Sequence, residues 1–542
     1  MWPNGGVLEM EFAHIFIIIL YFTDMKKILL AACIFYSFQA RTQPLSSSAI
    51  DSVAEKARSA FNVPGIAVAV IKDGKIIHSK GYGVRSLNSG LPVDEYTIFG
   101  IASNSKAFTT FALGILVDEG KISWDDKVRK WIPEFKLYSP YVTEEFTIRD
   151  LLTHRSGLGL GAGDLMFFPD SSNFELKDIL YNLQFLKQVS GFRTKFDYDN
   201  NMYIVAGEVV RRASGMSWDD FVETRIMKPI GMTMSACSYD QLKNKSNVID
   251  AHAEVEGKVK VIARSMMKVG HSAGGINSNI SDLSKWVQLL LAQGKYGPNF
   301  MSLCDPKIQK EIWSPQTIMQ AGDPGYYNTH FKAYGLGFFI EDVKGYKELS
   351  HTGGLEGMVT QITMIPELQL GIIVLTNQQE VDAFISITNE IKDGYLGLPH
   401  KDWIGELTSK RNSNLAYNKT ITDPIWEEIN KIQLNPPKIN FNIYAGIYRD
   451  PWLGDVFISI KNGKYWFDSK RSPKLTGELL PYKENSFVVK WRDRSMDADA
   501  FVIFRLNENG QSVGMQMKAV SPLTDFSYDF KDLDFEKIPS SH

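Results

Sequence analysis

Two runs of alternating apolar character, IAVAVIK at 66–72 and KIIHSKGYG at 75–83, meet at Asp73-Gly74, and this pattern predicts a β-hairpin. Ahead of them, Ile50 to Phe61 repeats with helical period. Lys106 to Glu119 sets Phe108, Phe111, Ala112, Ile115 and Leu116 on one face, which predicts a helix with one buried stripe, ended by Gly120. From about 150 to 300, helical segments such as NMYIVAGEVVRRA and KWVQLLLAQ alternate with glycine-rich loops. The chain then returns to short strands in YGLGFFIED, YKELSHTGG, MVTQITMIP and LGIIVLTN. Neither β-rich end carries enough strands for a core of its own. The expectation is therefore an α+β fold, one antiparallel sheet flanked by helices with a mainly helical subdomain between its halves.

The pattern changes beyond Leu398. Residues 399–437 are polar and helix-like and read as a linker ending at Pro436-Pro437. Residues 438–542 carry short, aromatic-rich strands, among them DVFISIKNGKYWF with an Asn462-Gly463 turn, SFVVKW, AFVIFRL and GMQMKAV. Their even spacing predicts a small all-β barrel. At the other end, MKKILLAACIFYSFQA has the outline of a signal peptide, with translation starting at Met25. Residues 1–40 are read as a leader and 41–398 as the catalytic domain. Export to a periplasmic or extracellular location follows, and the lipobox-like Leu30-Ala31-Ala32-Cys33 offers a lipid anchor as the alternative. Membrane contact is expected only through the leader or such an anchor.

With 542 residues, 44% of them apolar, the chain supports a large core and more than one domain. Its 59 Lys+Arg against 62 Asp+Glu leave no positive excess for nucleic acid. The three cysteines, Cys33, Cys237 and Cys304, imply no disulfide framework. His78, His154, His252 and His330 are scattered without metal-ligand spacing, so neither a metal nor a cofactor is expected. The partner expected is a small-molecule or peptide substrate, and an oligomer is compatible with the sequence.

Two serines compete for the role of nucleophile. Gly270-His271-Ser272-Ala273-Gly274 matches G-x-S-x-G, the elbow of α/β-hydrolase esterases, yet no strand leads into it and Gly274-Gly275 follows where a helix should start. Ser103 stands three residues before Lys106, a spacing that puts both on one helical face about 5–6 Å apart and supplies a hydroxyl with a base. Tyr198-Asp199-Asn200 adds a phenol and an amide, and SHTGG sets His351 at a strand end before two glycines. The glycine-rich SGLGLGAGDL at 156–165 lacks a P-loop's lysine and reads as a mobile loop beside the site.

In this order, S-x-x-K, Y-x-N and H-T-G resemble the serine β-lactamase and penicillin-binding protein superfamily, and most closely its class C-like branch of D-peptidases, carboxypeptidases and esterases. FGIASNSKAFTTFALGILVDEGKISWDDKVRKWIPEF, LLTHRSGL and the glycine pair at 274–275 extend the likeness over about 50–395. YAGIYRDP and the strands after it resemble a C-terminal lipocalin-like domain. The resemblance implies a Ser103 acyl-enzyme, an oxyanion hole at the backbone N–H groups of Ser103 and Gly354, and substrate contacts at Thr352 and Gly353. Lys106 or Tyr198 would be the base, with Asn200 orienting Lys106 or holding the substrate amide. His351 replaces a lysine common in β-lactamases. An imidazole grips a carboxylate less firmly, and more firmly only as pH falls toward about 6. That favours D-amino-acid peptides, peptidoglycan fragments or small esters over β-lactams. A penicillin-recognising sensor that acylates without turnover, and an esterase using Ser272, are the rival readings.

Overall fold

The computed structural model describes residues 43–539 apart from 298 and 300. The leader, the Met25 start and Cys33 lie outside the described residues. Cys237 and Cys304 are buried free thiols.

Eight antiparallel strands form the central sheet. They are β1 (Gly65–Lys72), β2 (Lys75–Gly83), β3 (Thr317–Met319), β4 (Lys332–Tyr334), β5 (Phe339–Val343), β6 (Tyr346–Leu355), β7 (Met358–Ile365) and β8 (Leu370–Thr376). Their spatial order is β2-β1-β8-β7-β6-β5-β4-β3, so the two β-rich ends of the domain join where β1 pairs with β8. The β1–β2 turn has φ of 51° at Asp73 and 73° at Gly74, left-handed values that an Asp-Gly pair accepts at little cost.

β1 shows why this sheet needs helices on both faces. Ile66, Val68 and Val70 face helices α1 (Ser47–Ala60) and α5 (Val381–Leu396) in one apolar cluster. Ala67, Ala69 and Ile71 point the other way, into the cluster holding Phe108 and Phe111 of α2 (Ser105–Asp118) and Trp286 of α4 (Ile280–Leu291). A strand buried on both sides reads as a continuous apolar run, which is what 66–71 is. The mainly helical subdomain supplies α3 (Asn200–Ser214), and a small hairpin at 251–262 interrupts it.

The segment read as a linker is largely one 32-residue helix, α6 (Trp403–Leu434). After it come eight strands closed into an up-and-down barrel: β9 (Gly446–Asp450), β10 (Gly454–Lys461), β11 (Lys464–Ser469), β12 (Thr476–Lys483), β13 (Ser486–Trp491), β14 (Ala500–Leu506), β15 (Ser512–Ala519) and β16 (Asp534–Lys537). Closure comes from pairing Tyr448 with Lys537 and Arg449 with Glu536. The inward positions Tyr448, Phe467, Phe487, Trp491 and Phe504 are buried in one continuous cluster, so side chains fill the barrel. Its β15–β16 connection, 520–533, leaves the barrel and reaches the catalytic domain.

Candidate active site

Ser103 occupies a single 3-10 turn, Ala102–Asn104, that runs directly into α2. Ala102 holds a left-handed φ of 49°, a strained value for a residue with a Cβ, and the turn is pinned at both ends. The Ile101 N–H donates to the Ile276 carbonyl at 2.9 Å, and the Thr360 hydroxyl donates to the Ile101 carbonyl at 3.0 Å.

One turn on, Lys106 is fully buried. Its Nζ lies 2.9 Å from Ser103 Oγ, 2.7 Å from Asn200 Oδ1 and 2.9 Å from the Ala273 carbonyl oxygen. Two of these partners are carbonyl oxygens and can only accept. When the amine is neutral, its two N–H bonds satisfy Asn200 and Ala273 and the lone pair is left facing the Ser103 hydroxyl. Burial pulls the Lys106 ammonium down to about 7, against the carboxylates of Asp164 and Asp199, which hold it up.

Tyr198 sits just before α3 and meets Lys106 through its ring face, 4.8 Å from Nζ to centroid. Burial raises its phenol well above the ordinary value, while interaction with the Ser103 hydroxyl pulls the other way. The His154 ring packs against it at a tilt, 4.2 Å between centroids. Asn200 is fixed in turn, since its Nδ2 donates to Asp164 Oδ2 at 2.9 Å and so keeps Oδ1 on Lys106. Asp199 points away from the nucleophile and accepts from the Ser156 hydroxyl at 3.1 Å, and burial lifts its carboxyl to about 7.

His351 lies within β6, which continues to Leu355, and not at a strand end as the pattern suggested. Its Nδ1 donates to the Thr352 carbonyl at 2.5 Å and its Nε2 accepts from the Tyr334 hydroxyl at 3.0 Å, a network that fits the neutral ring. Burial, followed by the Lys106 charge, lowers it to about 3. Both the network and the burial favour the uncharged imidazole over the gain of charge expected near pH 6.

β5 begins at Phe339, opposite Ser350, so residues 351–355 keep one free strand edge beside Ser103. A Cβ on Gly353 would collide with the Ile101 carbonyl, whereas one on Gly354 would meet open space. Gly353 thus permits close approach of the turn that carries Ser103, and Gly354 faces the cavity with Thr352. That cavity, about 720 Å³, is lined by Ser103, Tyr198, Asn200 and residues 351–356.

Ser272 has another role. It is buried, and its hydroxyl donates to the Tyr203 carbonyl at 2.9 Å. The turn around it supplies the Ala273 carbonyl to Lys106. The loop at 156–165 lies beside the site and is packed, with Gly161 N–H bonded to the Tyr198 carbonyl at 2.9 Å. Asp164 in this loop, bonded to Asn200, has no signal in the sequence pattern. Nor have Asp525, Phe526 and Ser527, which come from the barrel and line the same cavity.

A model of the beta-lactamase family matches residues 50–392. The chain belongs to the beta-lactamase family. A domain model of unknown function, DUF3471, matches the barrel region at 431–537. Among relatives of this beta-lactamase family member, the unguisins hydrolase ungD' of Aspergillus campestris is 29% identical over 58% of the chain and 59% of its own length. The unguisins hydrolase ungD of Aspergillus violaceofuscus is 25% identical over 74% and 75%, and the protein flp of Staphylococcus aureus 24% over 61% and 63%. In fold, the octameric penicillin-binding protein homologue from Pyrococcus abyssi is similar over 91% of this chain and 100% of its own, with TM-score 0.58 at 20% identity. Family and fold together make this a β-lactamase-fold protein with an added barrel.

Proposed function

We propose that the protein hydrolyses amide or ester bonds through an acyl-enzyme on Ser103. The observation that carries this is the triple coordination of Lys106, which leaves its neutral amine one direction, toward Ser103 Oγ. Lys106 takes the serine proton as Oγ attacks the carbonyl carbon. Tyr198, whose phenol keeps its proton at rest, delivers it to the leaving amine or alcohol and takes one back from the Lys106 ammonium, so that the amine is neutral again for deacylation. The N–H groups of Ser103 and Gly354 receive the oxyanion. Water then deacylates the ester along the same path.

The cavity wall supports a choice among substrates. Among the described residues that line it there is no lysine or arginine, while Glu356, Asp497 and Asp525 are present and burial raises the pKa of each. Glu356 has Lys474 as an ion partner at 2.9 Å. Phe167, Phe168, Phe384 and Leu523 make much of the remainder apolar. Such a wall suits D-amino-acid peptides or small esters with apolar, uncharged or cationic flanks, and it opposes the carboxylate that β-lactams carry. The names of the unguisins hydrolases are in keeping with hydrolysis.

Incubation of the full chain with a fluorophosphonate, followed by intact mass and peptide mapping, tests the reading. A single adduct on Ser103 is expected, lost in Ser103→Ala and kept in Ser272→Ala. An adduct on Ser272, or none, overturns it.

A further inference from the structure

The loop joining β15 to β16 is clamped on the catalytic domain at several points. Asp529 Oδ2 accepts the Gly163 N–H at 2.9 Å, Lys531 Nζ donates to the Leu160 carbonyl at 3.2 Å, and the Phe526 ring lies 5.9 Å from that of Tyr198. Gly161 has room for no Cβ there, because Phe526 fills the space. Between these anchors, the buried Ser527 hydroxyl donates to Asp164 Oδ2 at 2.9 Å. The same oxygen accepts from Asn200 Nδ2, and Asn200 Oδ1 accepts from Lys106. An unbroken chain of hydrogen bonds thus runs from the barrel to the amine beside the nucleophile.

We infer that Ser527 is a positioning residue for catalysis: it fixes the Asp164 carboxyl, which fixes the Asn200 amide, which aims the Lys106 lone pair at Ser103. The inference rests on the Ser103/Lys106 reading above. Its physical basis is that a buried carboxyl with one donor removed has freedom to turn, and an amide released from it has no reason to keep its oxygen on the lysine. The barrel is then part of the catalytic apparatus, and its seating on residues 160–164 determines how well the base is aimed. The groups facing Lys106 are the carboxyls of Asp164 and Asp199, the imidazoles of His154 and His351, and the phenols of Tyr198 and Tyr203. Of these, Asp164 alone is bonded to Ser527.

The test measures second-order acylation of Ser103 by a fluorophosphonate across pH 5–9 in the full chain, for wild type, Ser527→Ala and Ser527→Thr. Loss of the hydroxyl should slow acylation about tenfold, the worth of one buried hydrogen bond. It should also move the midpoint of the acid limb below its wild-type value, because Asp164 and Asn200 then support the ammonium less. Threonine, which keeps the hydroxyl, should restore both. Should Ser527→Ala fail to fold, Ser527→Thr against Ser527→Val makes the same comparison at constant shape. An unchanged midpoint and rate in a folded variant lacking the hydroxyl overturns the inference while leaving Ser103 as nucleophile. Absence of labelling in the wild type overturns the underlying reading instead.

Discussion

Gly353 and Ile101 face each other so closely that no methyl group fits between the glycine Cα and the isoleucine carbonyl. This contact holds the Ser103 turn against β6. Gly353→Ala should push the turn away, lowering stability by about 1–3 kcal/mol and activity about 100-fold. Thermal melts beside ester hydrolysis measure the two losses, and an active Gly353→Ala protein would mean that the turn tolerates displacement.

Activity on a neutral activated ester should fall on the acid side of about pH 7, where Lys106 takes up its proton, by about tenfold per unit well below the midpoint. Above it the amine is free and the rate levels. Tyr198→Phe should lower the plateau about 100-fold and leave the acid limb in place, since the phenol is not the group that loses the proton. Disappearance of the limb in Tyr198→Phe would transfer the role of base to the tyrosine.

His351, held near 3, stays neutral throughout the working range. The ratio of kcat/KM for a carboxylate-bearing ester to that for its neutral analogue should therefore be flat between pH 6 and 8, once Lys106 titration cancels in the ratio. A ratio that climbs toward pH 6 requires an imidazolium, and would restore histidine as a reader of substrate charge.

Asp199 has its carboxyl raised to about 7, so the stability tied to its protonated form is complete below the ordinary carboxylate range and is lost as pH rises through about 7. Asn suits the same helix-capping position and cannot ionise. Asp199→Asn should match the wild type at pH 4 and exceed it at pH 8 by on the order of 1–3 kcal/mol, read from denaturant midpoints at the two pH values. Equal stability at pH 8 would mean that the carboxylate is compensated where it lies.

Much of this organisation is legible in short stretches of chain. The Asp73-Gly74 hairpin, the helix at 105–118 and the strands from 339 to 376 announce themselves by period and punctuation, because local backbone preference and burial agree there. Ser103 with Lys106, and Tyr198 with Asn200, are each spaced so that the start of one helix and the residues leading into it present both. Asp164 and Ser527 are different. They are 363 residues apart, and a hydrogen bond between them leaves no periodic trace in either neighbourhood. The pattern puts His351 at a strand end because Gly353 and Gly354 look like a turn, whereas in the fold they extend the strand beside a close backbone neighbour.

The pairing of β1 with β8, Ile66 opposite Thr376, also bears on how the protein is made. A ribosome adds roughly 5–20 residues each second, so the first partner strand waits on the order of 15–60 s for the second to be synthesised. During that interval the 66–71 segment has β2 on one edge only, its other edge is open and its helix layers are incomplete, and it is apolar on both faces. Biosynthesis of this chain therefore depends on keeping one edge of an early, sticky hairpin open until the domain is almost finished, a demand for chaperone protection set by strand order.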